Sequence, residues 1–187
     1  MVGLSALNQA VNDEVLESLS CHDLKYLDIS DCNNVTSVQV AKLLARQPNV
    51  EELSLQGTCH MAAILNVLAS NRQSLENLRV LEIGGNVHTL NQENVDSVLE
   101  VLPVCENLKV LSIFNCNLER NSKDYFKNFL NLEKLNLWQC HPRLFKCAKN
   151  SLNLDFKCEL NPLSPLRDII YASKEKQGTA LDRAIFN

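Results

Sequence analysis

Apolar positions recur along the chain in one arrangement, an L-x-x-L-x-L frame followed three residues later by a cysteine, threonine or asparagine. Five copies align: Leu24-x-x-Leu27-x-Ile29-x-x-Cys32, Val50-x-x-Leu53-x-Leu55-x-x-Thr58, Leu78-x-x-Leu81-x-Ile83-x-x-Asn86, Leu108-x-x-Leu111-x-Ile113-x-x-Cys116 and Leu132-x-x-Leu135-x-Leu137-x-x-Cys140. Within each copy apolar and other residues alternate, which is the period of a half-buried strand. The second leucines follow one another at 26, 28, 30 and 24 residues. After each strand, roughly twenty residues remain, enough for a helix of about three turns and two connections.

Helical periodicity fills those gaps. Thr36 or Ser37 caps a predicted helix running to Arg46, with Val40, Leu43 and Leu44 on its inner side and Pro48 beyond it. The stretch 61–69 places Ile64, Leu65 and Leu68 on one face. Asn91 caps a segment carrying Val95, Val98, Leu99 and Leu102, which Pro103 ends, and Ser122 precedes Tyr125, Phe126 and Phe129. Residues 13–19, with Val15, Leu16 and Leu19 inward, read as the last helix of an N-terminal partial repeat. At the other end, Leu152-x-Leu154-x-Phe156-x-x-Glu159 keeps the alternation but lacks the leading positions, so it is expected to form a degenerate sixth strand. Ser164-Pro165 predicts a helix over 166–172, and Thr179 a short one reaching Phe186.

One such unit cannot bury its apolar face alone, so at least about three must stack. Parallel strands joined by crossovers turn right-handed in nearly all proteins, which puts strands on one side and helices on the other. The expected fold class is therefore α/β, a short right-handed arc with parallel strands on its concave face and helices on its convex face. A single domain over 1–187 is expected, with a partial repeat or cap at 1–23, five full repeats and the sixth strand at 24–159, and a sealing cap or tail at 160–187.

The pattern resembles the leucine-rich repeat superfamily, in the long, helix-containing and cysteine-containing form of ribonuclease-inhibitor-like proteins and F-box/leucine-rich-repeat ubiquitin-ligase receptors. The resemblance covers about 13–159. Leu27-Asp-Ile-Ser-Asp-Cys32-Asn-Asn-Val35-Thr36 matches the cysteine-containing form closely, whereas 78–89 departs from it with Asn86 and two glycines. The resemblance implies a horseshoe solenoid, a non-catalytic role and a protein or peptide partner, including ubiquitin-ligase components or their substrates. An F-box needs its own helical segment, and the 23 residues ahead of Leu24 are too few for one.

Composition narrows the partners. The 187 residues are 45% hydrophobic and carry a formal net charge of -4, which offers no basic stripe for a phosphate backbone, so nucleic acid is not an expected partner. Residues 1–5 lack the basic and apolar regions of a signal peptide, and no apolar run is long enough to span a bilayer. Of the eight cysteines, Cys32, Cys116 and Cys140 share the slot that closes each repeat, shared also by Thr58 and Asn86. Thiols in that slot are expected to bond loose backbone groups of the turn, which implies a reducing cytoplasmic or nuclear setting and no membrane.

Alternation also places three columns of side chains on the outer face of the strands. The first holds Tyr26, Glu52, Val80, Val110 and Lys134; the second Asp28, Ser54, Glu82, Ser112 and Asn136; the third Ser30, Gln56, Gly84, Phe114 and Trp138. The N-terminal part is acidic and the C-terminal part apolar and aromatic. Candidate partner-binding residues are therefore Tyr26, Asp28, Glu52, Glu82, Val110, Phe114, Lys134 and Trp138, with Phe114 and Trp138 expected to touch across neighbouring strands. Two simpler readings stand beside this one: Trp138 packs on the C-terminal cap against Phe145 or Phe156, and the carboxylates form a solvated face. Gly84-Gly85 lacks a phosphate-loop context and is expected to open the face to a partner. Cys21-His22, Cys59-His60 and Cys140-His141, even with Cys147 and Cys158 added, lack the spacing of a metal site or a catalytic dyad. No catalytic residues, metal or cofactor are expected; docking through the convex helices or tail as an assembly subunit, and a Cys/His-dependent enzyme, are the alternatives.

Overall fold

The repeated leucine frames become short parallel strands, stacked in the order in which they occur along the chain. In this computed structural model the described residues are 2–4, 7, 9–21, 23–58, 76–85, 93–118, 125–152, 155–160 and 168–173, with the backbone alone described for 93–94, 155–160 and 168–173. Strands β1 (Val2–Gly3), β2 (Tyr26–Asp28), β3 (Glu52–Ser54), β4 (Val80–Gly84), β6 (Val110–Phe114) and β8 (Lys134–Trp138) run parallel in one sheet. A separate small parallel pair joins β5 (Glu93–Asn94) to β7 (Cys116–Asn117). The chain is thus an α/β protein built on six parallel strands and helices.

Register carries the repeat into three dimensions. Leu27, Leu53, Leu81, Leu111 and Leu135 are direct partners across successive strands. All fifteen apolar residues of the five frames are 2% exposed or less. Each buried leucine of this kind is worth about 1.5–3 kcal/mol in transfer free energy, so the stacked rows are the main source of cohesion.

Polar ladders stitch the same repeats along the sheet's entry edge. Asn77, Asn107 and Asn131 each precede the first leucine of a frame, and their side-chain amides donate to the carbonyls of Pro48, Glu76 and Glu106, one repeat earlier. Outside them, Lys25 pairs with Glu51 at 3.0 Å, Glu51 lies 4.0 Å from Arg79, and Lys109 pairs with Glu133 at 2.9 Å. At the exit edge, Asp31, Asn115 and Gln139 adopt left-handed backbone, as does Gly57. The N–H groups of Asp31, Gly57, Gly85 and Asn115 donate to the carbonyls of Gln56, Gly84, Phe114 and Trp138 on the next repeat. The turn residue is thereby both the end of its strand and a tie to its neighbour.

The closing slot works as its chemistry suggests. The Cys116 thiol donates to Phe114 O at 3.1 Å, the Cys140 thiol to Ile113 O at 3.3 Å, and the Thr58 hydroxyl to Leu55 O at 2.7 Å. Asn86 lies outside the described residues.

Helices cover the inner side where periodicity places them, with exceptions. α1 (Asp13–Ser18) is capped by Asn12, and α2 (Ser37–Ala45) by Thr36, whose hydroxyl accepts from Gln39 N. Asp13 in turn accepts from both the backbone N–H and the hydroxyl of Thr36, tying the two helix starts together. α3 (Asp96–Val101) begins after Val95 without a side-chain cap and tightens into a 3-10 turn, Leu102–Val104, at Pro103. The expected caps Asn91 and Ser122 and the stretches 61–69 and 179–186 lie outside the described residues. Tyr125, Phe126 and Phe129 are buried as expected, yet 125–128 is a turn, not a helix. The Tyr125 hydroxyl donates to Asp96 at the start of α3.

The C-terminal end departs furthest from expectation. An unforeseen helix, α4 (Pro142–Ser151), follows β8, with Pro142 in its first turn and the His141 ring accepting from Arg143 N. β9 (Asp155–Leu160) corresponds to the sixth strand but does not lie beside β8. β10 (Asp168–Ser173), expected as a helix, takes that place, antiparallel to β8 over five residue pairs and to β9 over six. Ile169, Ile170 and Tyr171 favour strand over helix, and the last parallel strand leaves backbone groups that need partners.

Leu81→Ala is expected to lower the unfolding free energy by about 2–5 kcal/mol, as a cavity-forming change. Leu130→Ala, at a side chain 83% exposed, should stay within about 0.5 kcal/mol of the parent. Urea denaturation of both variants checks the pair, and similar losses would contradict the inside-outside assignment.

Candidate protein-binding face

The face of the sheet opposite the leucine rows carries the three columns in the expected register. Tyr26, Glu52, Val80, Val110 and Lys134 pair across the strands, as do Asp28, Ser54, Glu82, Ser112 and Asn136, and Gly84 pairs with Phe114 and Phe114 with Trp138. Glu52 and Lys134 are exposed, while Tyr26, Asp28, Glu82, Val110, Phe114 and Trp138 are half-buried. Ser54 and Ser112 depart from the expectation of exposure. They are buried, and each is hydrogen-bonded to a longer neighbour on the adjoining strand, Ser54 to Glu82 and Ser112 to Asn136.

Those serines organise the centre of the face. The Ser54 hydroxyl donates to Glu82 Oε2 at 3.1 Å, so its single proton is used there and the 2.7 Å contact with Ser30 must be a donation from Ser30. The relay Ser30 to Ser54 to Glu82 fixes that carboxylate across three repeats. Two repeats on, Asn136 Nδ2 donates to Ser112 Oγ at 3.0 Å.

The N-terminal half carries a negative field. Burial, then the carboxylates of Asp28, Glu82 and Glu52, then a hydrogen bond to Asp28 push the Tyr26 phenol above its ordinary value. All three acids therefore act on one ring. Asp28 also accepts from Ser30 N at 2.9 Å. The C-terminal half is apolar: the rings of Phe114 and Trp138 lie 6.3 Å apart between centroids, tilted by 36°, within the range of a stabilising aromatic pair. Phe145, the alternative partner for Trp138, has the Lys149 ammonium 5.9 Å over its ring, and the side chain of Phe156 lies outside those described.

Gly84 closes the backbone instead of opening the face. It is buried, with φ at 125°, and a Cβ there would collide with the carbonyl and nitrogen of Phe114. In the other four copies the left-handed residue sits directly before the closing slot, whereas here the positive φ falls one residue earlier. The glycine pair was visible in the sequence; Asp31, Gly57 and Asn115 at the turn position carried a related signal, since Asp, Asn and Gly tolerate left-handed backbone, whereas Gln139 gave none.

Cysteine and histidine diverge. The Cys140 thiol points to the Ile113 and Trp138 carbonyls, while the His141 ring caps α4. Burial pushes the Cys105 and Cys140 thiols up to about 12 and, with Asp28 and Asp31, the Cys32 thiol to about 11. Such groups are poor nucleophiles near neutral pH. Among the described residues no group of three or more His, Cys, Asp or Glu is placed to hold a metal ion; His22, Cys59, His60 and the side chain of Cys158 lie outside them. No described helix is long and apolar enough to cross a membrane.

No family model matches the chain. It is similar to disease resistance protein RRS1 of Arabidopsis thaliana, with 29% identity over 115 residues, which cover 58% of this chain. The chain spans only 8% of the length of that relative.

Gly84→Ala is expected to lose about 1–3 kcal/mol or more from backbone strain alone, read as a drop in melting temperature. A neutral result would mean that the Phe114 backbone is not pressed against it. The thiols give a pH dependence. An unfolded chain releases its thiol protons near pH 8.5, whereas the buried ones hold theirs to about 11 or 12. The folded state thus binds more protons in that window, so stability is full below it and falls as pH rises through it. Urea midpoints from pH 7 to 10 should decline above about pH 8.5, and less steeply in Cys105→Ala.

Proposed function

We propose that the chain is a leucine-rich repeat solenoid whose concave strand face binds a protein partner without catalysing a reaction. The observation that carries this reading is the in-register outer face, where side chains of five successive repeats are held on packed strands. Side chains fixed in this way lose little conformational entropy on binding, and a half-buried aromatic pair is the kind of anchor that dominates protein interfaces. Similarity to a disease resistance protein is in keeping with a role in protein interaction.

The thiols support the non-catalytic side of the proposal, since Cys116 and Cys140 at the repeat ends are spent on backbone carbonyls and burial holds Cys140 protonated. Cys21, Cys32, Cys105 and Cys140 are in no disulfide, which favours a reducing intracellular compartment. Recruitment of a protein for ubiquitination is one concrete form of the role, resting on sequence resemblance to ligase receptors. Docking through the helical side has less support: on α2 the exposed large apolar residue is Val38 alone.

Site-specific photo-crosslinking separates the two surfaces. A photoreactive residue at Val110, on the outer face, should trap a partner from cell extract, and one at Val38 should not. The Phe114→Ala/Trp138→Ala variant should lose the Val110 product while keeping its circular dichroism. Products formed from Val38 alone, or equally in wild type and variant, would overturn the face assignment.

A further inference from the structure

The outer face changes chemistry across the strands and not along them. Its acids stand on β2, β3 and β4, while Val110, Phe114 and Trp138 stand on β6 and β8; Val80 on β4 adds an apolar side chain between the halves, and Lys134 lies at the entry end of β8, two rows from Trp138. A ligand that reads both halves must therefore cross the strands.

The acidic half has carboxylates to spare for such a ligand. The neighbouring edge cations Lys25, Arg79 and Lys109 are already held by Glu51 and Glu133. Asp28 is engaged by Ser30 N and Tyr26. Glu82 accepts from Ser54 and keeps acceptor sites open, because a carboxylate offers about four lone-pair positions. Glu52 is exposed, and no described ion pair includes it. At the other end, Phe114 and Trp138 form a half-buried pair flanked by Val110.

Geometry relates the two halves. Glu82 and Trp138 are two strands apart and one row apart along the strand. With strands about 4.8 Å apart and rows about 6.8 Å apart, the separation is about 12 Å, or three to four residues of extended chain. We infer that the face recognises an extended peptide segment lying across the strands, with a Lys or Arg over Glu52 and Glu82 and a large apolar side chain, three to four residues away, on the Phe114–Trp138 pair. Charge complementarity selects the cation, and the aromatic pair supplies the anchor. The inference rests on the protein-binding reading above and adds the chemistry and spacing of the partner.

Synthetic peptides test it directly. Nine-residue peptides with one Lys and one Leu, set one to six residues apart in a Ser/Thr background, are titrated against the full chain. Trp138, the chain's one tryptophan, reports binding by its fluorescence. Affinity should peak at a separation of three to four and fall about tenfold when Glu replaces Lys, a contrast that weakens with added salt. Glu52→Gln/Glu82→Gln should remove the preference for Lys over Glu and leave the preference for Leu. Because those side chains lie outside the leucine core, circular dichroism should stay unchanged in this variant. Equal binding of Lys and Glu peptides, no dependence on spacing, or no binding of any peptide overturns the inference. A Val110 crosslink persisting alongside any of these results would leave the face in use by a partner of another kind.

Discussion

The register of the leucine stack is the constraint on which everything else depends. Leu27, Leu53, Leu81, Leu111 and Leu135 meet strand by strand, and the residues three before and two after each are buried with them. A slip of one residue in any strand would turn that strand's apolar side chains to the outer face. A slip of two residues, however, would keep the same side chains inward, so burial alone does not single out one register. The ladders at both edges do that. Asparagine amides reach the preceding repeat at the entry edge, and left-handed turn residues donate to the following repeat at the exit edge.

The outer face follows from the same constraint. Once the teeth are inward, the residues between them are outward by alternation, and rigid strands hold them at fixed spacing. Backbone placement does not decide which of them a partner can reach. Ser54 and Ser112 lie in outward positions but are enclosed by neighbours, and they orient Glu82 and Asn136. Gly84 illustrates the limit more sharply, since the Phe114 backbone occupies the space where its side chain would be. The face is therefore neither a set of free columns nor an open trough.

The parts legible in the sequence are those decided by local period. Fifteen apolar positions, the cap Thr36 and the closing thiols follow from residue type and spacing. The Phe114–Trp138 contact follows from equal positions on neighbouring strands. The asparagine ladder was equally present in the sequence, at the residue before each of the last three frames, but its role depends on a carbonyl one repeat away. Tyr125, Phe126 and Phe129 show where period misleads: all three are buried, as a helical face would be, yet 125–128 is a turn. Pro142 marks the start of α4, in the segment between Cys140 and Leu152 for which no element was expected.

Ending a parallel stack is a different problem from extending it. Each added repeat leaves a new edge with unpaired backbone groups, so repetition alone cannot close the sheet. Here the chain first inserts α4 and β9 and then returns β10 against β8 in the opposite direction. An antiparallel strand pairs through a hydrogen-bond pattern unlike that of the repeats and can arrive by a short reversal, without a crossover helix. That switch of direction satisfies β8 while breaking the repeat's own rule. The degenerate frame fits this arrangement: its strand, β9, pairs with β10 and not with the last repeat, so it does not extend the leucine rows.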